Sequence, residues 1–111
     1  MLSFEKPPID ILEDDEKYIV IIDLPGCKRE DIEITGDENT LKIKALKSIN
    51  LPGKYILMER FTGIVKRSIR FPQYIDISKG KAVYENGCLV IYIPKAKNQF
   101  IIDTICKISI F

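Results

Sequence analysis

The stretch Lys81-Ala82-Val83-Tyr84-Glu85-Asn86-Gly87-Cys88-Leu89-Val90-Ile91-Tyr92-Ile93-Pro94 contains two short apolar runs with Asn86-Gly87 between them. Asn-Gly is the strongest short-range hairpin signal, because both residues tolerate positive φ and so match the twist of antiparallel strands. Pro94 stops the second run, having no N–H to give to a ladder. The same grammar extends toward the N-terminus. Val65, Arg67, Ile69 and Phe71 share one face of a period-two run that ends at Pro72. Leu41-Lys42-Ile43-Lys44-Ala45 and Ile32-Glu33-Ile34 alternate, with Gly36-Asp37-Glu38-Asn39 as the turn between them. Tyr18-Ile19-Val20-Ile21-Ile22-Asp23 is β-branched and ends at Leu24-Pro25-Gly26, which predicts a type II turn with Gly26 at positive φ. Ile9-Asp10-Ile11 opens the series. About eight short strands without a long helix predict an all-β fold, an antiparallel β-sandwich. One helical turn is expected over Cys27 to Asp31.

Composition excludes several functions. The 111 residues fit one domain, and Lys plus Arg (17) nearly balances Asp plus Glu (16). That balance leaves no basic excess for a nucleic-acid backbone, so no nucleic-acid partner is expected. The chain has no His, which removes the usual general base near neutral pH and the commonest metal ligand. Without a Cys-x-x-Cys pair or a phosphate-binding loop, no catalytic residue, metal or cofactor is expected. Cys27, Cys88 and Cys106 are an odd set. Cys27 and Cys88 read as small core hydrophobes, with a disulfide as the alternative. Glu13-Asp14-Asp15-Glu16 reads as a solvated hairpin loop, too local for a calcium cage. The N-terminus lacks the pattern of a signal peptide and no run reaches a membrane span, so a cytoplasmic protein without a membrane partner is expected. The end of the chain is unusual: eight of the twelve residues from Phe100 to Phe111 are apolar. A tail that apolar needs a groove to occupy.

Five segments, in order, resemble the small heat-shock proteins of the alpha-crystallin-domain family. They are Ile9-Asp10-Ile11-Leu12-Glu13 with Asp23-Leu24-Pro25-Gly26; Glu30-Asp31-Ile32-Glu33-Ile34 with Leu41-Lys42-Ile43; Glu59-Arg60-Phe61-Thr62-Gly63-Ile64-Val65-Lys66-Arg67 with Phe71-Pro72; Ala82 to Pro94; and Ile108-Ser109-Ile110. Ala82 to Pro94 is similar to the family's Ala-x-x-x-Asn-Gly-Val-Leu-x-Ile-x-Val-Pro signature, with Cys88 where Val is usual. The resemblance implies an immunoglobulin-like sandwich that dimerises. It divides the chain into a short N-terminal arm (1–8), an alpha-crystallin domain (9–95) and a C-terminal extension (96–111). The family usually carries a long apolar arm; here Leu2 and Phe4 are the arm's apolar residues.

The resemblance also implies the sites. Tyr55, Ile56, Leu57 and Met58, in the loop from Leu46 to Glu59, would form a strand swapped onto a partner's sheet. Arg67, an Arg on an apolar face, would pair across the dimer interface; the alternative is an Arg that snorkels at a sheet edge. Ile108 and Ile110 point the same way in an extended tail. They would anchor in a neighbour's groove near Ile32, Ile34 and Val83. The alternatives are a tail folded back on its own domain, or a helix using Ile101, Ile105 and Ile108. The implied activity is that of an ATP-independent holdase. It would bind unfolding client proteins as a homodimer assembled into a homo-oligomer. A structural or adaptor module that binds one partner or co-assembles with a longer paralogue is the rival.

Overall fold

The computed structural model describes residues 4–48, 51–97 and 106–111, with backbone alone at 4, 5 and 106. It is an immunoglobulin-like sandwich of two sheets. One sheet orders β2 (Ile9–Glu13), β3 (Lys17–Asp23), β8 (Cys88–Pro94) and β7 (Lys81–Glu85). The other orders β1 (Phe4–Glu5), β6 (Gly63–Arg70), β5 (Thr40–Lys47), β4 (Cys27–Gly36) and β9 (Cys106–Lys107). Ladders are antiparallel except β1 on β6, which pairs Phe4 with Ile64 in parallel.

Alternation fixes the register. Tyr18, Val20 and Ile22 on β3 and Leu89, Ile91 and Ile93 on β8 turn inward and are buried. They face Ile34, Leu41, Ile43, Val65 and Ile69 of the other sheet in one core. A one-residue slip would turn each set to solvent, which makes the register costly to change. Asn86 (φ 53°) and Gly87 (φ 76°) both take the left-handed conformation that the β7–β8 hairpin requires. Gly26 (φ 84°) does the same at the end of the Leu24-Pro25-Gly26 turn.

Two expectations are corrected. Cys27 to Asp31 is not a helical turn but the first half of β4, with Cys27 paired to Lys47 and a bulge before Ile32. Pairing with β5 supplies hydrogen bonds that a lone turn of helix would lack, so tertiary context overrides the local preference. Cys88 is not a core residue: Leu89, Ile91 and Ile93 claim the inward phase of β8, leaving Cys88 half-buried on the other face. Cys27 does pack against the core, and among the described residues neither Cys27 nor Cys88 forms a disulfide.

The β6–β7 connection contributes more than punctuation. Phe71, Ile75 and Ile77 are buried, and a single 3-10 turn covers Ile77–Lys79. Phe71 stacks at 4.5 Å, tilted, on Tyr18. Residues 101–105 lie outside the described residues, and so do two members of the helical alternative for the tail, Ile101 and Ile105.

Candidate functional site

A sandwich has open edges, and an open edge exposes unpaired N–H and C=O groups. On one side the edges are β4 and β7. The tail runs between them and changes sheets at Ser109. Lys107 pairs with Thr35 and Cys106 with Gly36 on β4, and the Ile108 N–H donates to the Ile34 carbonyl at 3.1 Å. Ile110 then bridges Ala82 of β7 in parallel. The Phe111 N–H donates to the Ala82 carbonyl, and the Tyr84 N–H donates to the Phe111 carbonyl, both at 2.8 Å.

The tail alternates as an extended segment should. Ile108 is 7% exposed, Ser109 faces solvent, and Ile110 is partly buried against the core. The seat is therefore a slot between two sheets that receives one isoleucine fully and one partly. In this chain the occupant is the chain's own tail, and Ile108 is extended rather than helical.

Of the groove residues expected, Ile34 makes a tail hydrogen bond, and Ile32 is buried on the same inward face of β4. Val83 sits between the two residues that grip the tail. Backbone groups alternate along a strand, so Val83 points its own toward β8, where it pairs with Val90. Ala82 and Tyr84 do the gripping instead. Tyr84 has a second task, since its hydroxyl donates to the Leu24 carbonyl (2.6 Å), with the Cys27 carbonyl at 3.0 Å. Burial pushes the Tyr84 phenol up, so it remains a donor at neutral pH. No local sequence pattern names Leu24 as the partner of Tyr84.

On the other side, β2 is an edge strand. Among the described residues it pairs with β3 along one flank only, and Ile11 and Leu12 are exposed. Tyr55, Ile56, Leu57 and Met58 belong to no strand and are exposed, with Ile56 at 102% of its reference area. Four successive apolar side chains in water and an edge strand with one unpaired flank are two unsatisfied surfaces of complementary kind.

Arg67 turns inward with Val65 and Ile69 and is half-buried. Its Nη1 donates to the Pro7 carbonyl at 3.5 Å, and its Nε is buried with no partner among the described residues. Among the described residues no carboxylate pairs with it. The acidic turn is different: the Asp14 carboxylate accepts from the Lys17 ammonium (2.9 Å) and from the Glu16 and Lys17 N–H groups (2.8 Å each). Those bonds, the lysine's first, hold its pKa down at about 2. No group of three or more His, Cys, Asp or Glu among the described residues could hold a metal ion. No helix among them is long and apolar enough to cross a membrane.

Comparison with known proteins agrees with this architecture. The model of the Hsp20/alpha crystallin family matches residues 10–110. Small heat shock protein C2 of Rickettsia felis is 39% identical over 92 residues, which cover 80% of this chain and 60% of that protein. The 18 kDa heat shock protein of Clostridium acetobutylicum is 38% identical, covering 78% and 60% respectively. The chain thus spans about 60% of the length of these curated relatives. Among solved structures, heat shock protein 16.0 from Schizosaccharomyces pombe superposes with a TM-score of 0.72 at 30% identity, covering 84% of this chain and 68% of that one. A small heat-shock protein from Xylella fastidiosa gives 0.68 at 29% identity, covering 88% and 94%. With the family match spanning nearly the whole chain, this chain belongs to the Hsp20/alpha crystallin family.

Proposed function

We propose that the chain is an ATP-independent holdase that binds unfolding proteins and limits their aggregation. The observation that carries this reading is the seat of Ile108, a buried apolar slot flanked by two sheet edges and closed by a tail segment. When the tail leaves, it uncovers an apolar floor and unpaired backbone groups on β4 and β7. An extended apolar segment of an unfolding protein satisfies both, with backbone groups to the edge and side chains to the slot. Binding of that kind needs no nucleotide.

The assembly follows from the other open surfaces. Tyr55 to Met58 adds to the β2 edge of a second copy, and Arg67 meets its partner at that interface. The same tail contacts, made between copies, link dimers into a homo-oligomer. In this reading residues 9–95 are the domain, 96–111 the anchoring extension, and the cytoplasm the working compartment. One observation favours the rival reading, a structural or adaptor module: the chain's own tail fills its own groove.

The test is light scattering of a heat-aggregating enzyme at stoichiometric ratios, with native mass measured in parallel. Suppression of aggregation, with a smaller assembly after Ile108→Ala and Ile110→Ala together, is the expected result. An unprotected enzyme hands the argument to the adaptor reading. An oligomer of unchanged size removes the tail as its linker.

A further inference from the structure

We infer that Gly80 is the specificity-determining residue of the tail groove, the position that makes the slot fit an isoleucine at 108. The inference rests on the reading of the tail as the groove's cap and names what the groove selects.

Gly80 lies at φ −68° and ψ 147°, extended backbone open to any L-residue. It differs in this from Gly26, Gly53, Gly63 and Gly87, which take positive φ. Its lack of a side chain therefore serves space and not conformation. A Cβ at Gly80 would stand 2.8 Å from Ile108 Cδ1, 3.4 Å from Ile108 Cγ1 and 3.2 Å from the Ile77 carbonyl oxygen. Carbon atoms in good contact lie about 3.5–4.0 Å apart, so the Ile108 Cδ1 methyl occupies the room that a methyl at position 80 would claim.

The floor cannot easily yield. The Gly80 N–H donates to the Ile77 carbonyl at 2.9 Å, closing the 3-10 turn. The Ile77 side chain is itself packed so tightly that a Cβ at Gly36 would come within 2.7 Å of its Cδ1. The part free to move is the tail. The notch is one methyl deep, so isoleucine fills it and valine, which ends at Cγ, leaves it empty. Add a methyl to the floor and the preference reverses, because valine's shorter side chain then clears it. The occupant is the chain's own tail, since the Ile108 that fills the notch is the one the same chain places there.

The experiment is hydrogen exchange by NMR on the full chain, read at the Ile108 and Phe111 amides, which donate to Ile34 and Ala82. Four proteins are compared: the natural chain, Gly80→Ala, Ile108→Val and the double variant. Gly80→Ala is expected to speed exchange at both amides roughly five- to tenfold, the scale of forced overpacking or an off-rotamer side chain. Adding Ile108→Val to it should slow exchange again, a reversal that two independent defects cannot give. Gly80→Ala rates within twofold of the natural chain overturn the inference, and so does a double variant as fast as the product of the singles. Faster exchange of the β3 and β8 amides in Gly80→Ala overturns it too, since a role confined to the seat leaves the sandwich closed. Failure of client protection with the reversal intact would remove the chaperone reading and leave the groove's selectivity standing.

Discussion

Arg67→Met gives the sharpest test of assembly because the two readings of Arg67 predict opposite signs. Within one chain the guanidinium is poorly served. Its Nη1 lies 3.5 Å from the Pro7 carbonyl, and its Nε is buried without a partner among the described residues. Good N–H···O bonds fall at about 2.7–3.2 Å. A buried donor left unpaired costs about 1–3 kcal/mol. Methionine has similar reach, and Val65 and Ile69 flank the position with apolar surface. For an isolated chain the substitution is therefore neutral or stabilising by about that amount. If Arg67 instead meets a carboxylate of a second copy, Arg67→Met leaves that carboxylate without its cation. Removing one partner of a buried pair costs about 3–5 kcal/mol, or roughly a hundred- to several-thousand-fold in the dimer dissociation constant. The two-fold symmetry of a dimer counts the loss at both copies. Sedimentation velocity over a dilution series reads the dissociation constant, and a thermal melt at high dilution reads the chain alone. The expected result is a dimer that falls apart at far higher concentration. A dimer of equal or greater affinity, together with a higher Tm, would refute the interface role and leave Arg67 a snorkelling residue.

Two further predictions follow from single residues. Tyr84→Phe strands the carbonyl of Leu24, a fully buried residue; the expected loss is about 1–3 kcal/mol, a Tm drop of about 4 °C or more for a domain of this size, and an unchanged melt would show that the bond contributes nothing net. Asp14 is held at a pKa of about 2 in the folded chain, below the roughly 3.9 of an unfolded chain. Its contribution to stability is thus complete above pH about 4 and fades as pH falls toward 2. Asp14→Asn should flatten the stability curve in that window, and a carboxyl carbon titrating near pH 4 by NMR would contradict the assignment.

The parts of the fold legible in the sequence were those that alternation and turn chemistry specify. Asn86-Gly87 and Gly26 determine φ directly, and the inward phase of β5 follows from its period-two run, whereas the continuous apolar runs of β3 and β8 mark strands without showing which face turns inward. Cys27 to Asp31 was misread because Lys28, Arg29, Glu30 and Asp31 carry no alternation, and only the β5 edge makes them a strand. Cys88 was misplaced for a related reason: cysteine is often buried, but phase along β8 outweighs residue type. For the site, the two-residue spacing of Ile108 and Ile110 placed both on one side of an extended tail, and strand alternation explains why Ser109 faces out. Ala82, Tyr84 and Gly80 were not legible as groove residues. Their roles depend on which way backbone groups point and on an absent side chain, and neither leaves a trace in hydropathy.

The tail's energetics explain how a seat so specific can also open. Six described residues, 106–111, are ordered on docking. At about 1–2 kcal/mol of backbone entropy each, that opposes docking by about 6–12 kcal/mol. Against this stand three hydrogen bonds, from Ile108 to Ile34, Phe111 to Ala82 and Tyr84 to Phe111, and the short β4–β9 ladder. At about 0.5–1.5 kcal/mol net per bond they return about 2–7 kcal/mol. Burying Ile108 adds about 2–3 kcal/mol, and half-burying Ile110 about 1 more. The two sides cancel to within a few kcal/mol, whereas the core β3–β8 ladder is backed by side chains buried on every second residue. Heat raises the entropic cost in proportion to temperature and weakens the bonds. The tail should therefore detach well below the temperature at which the sandwich melts. In the proposed holdase reading, a groove that opens before its own domain unfolds is available when other proteins begin to do so.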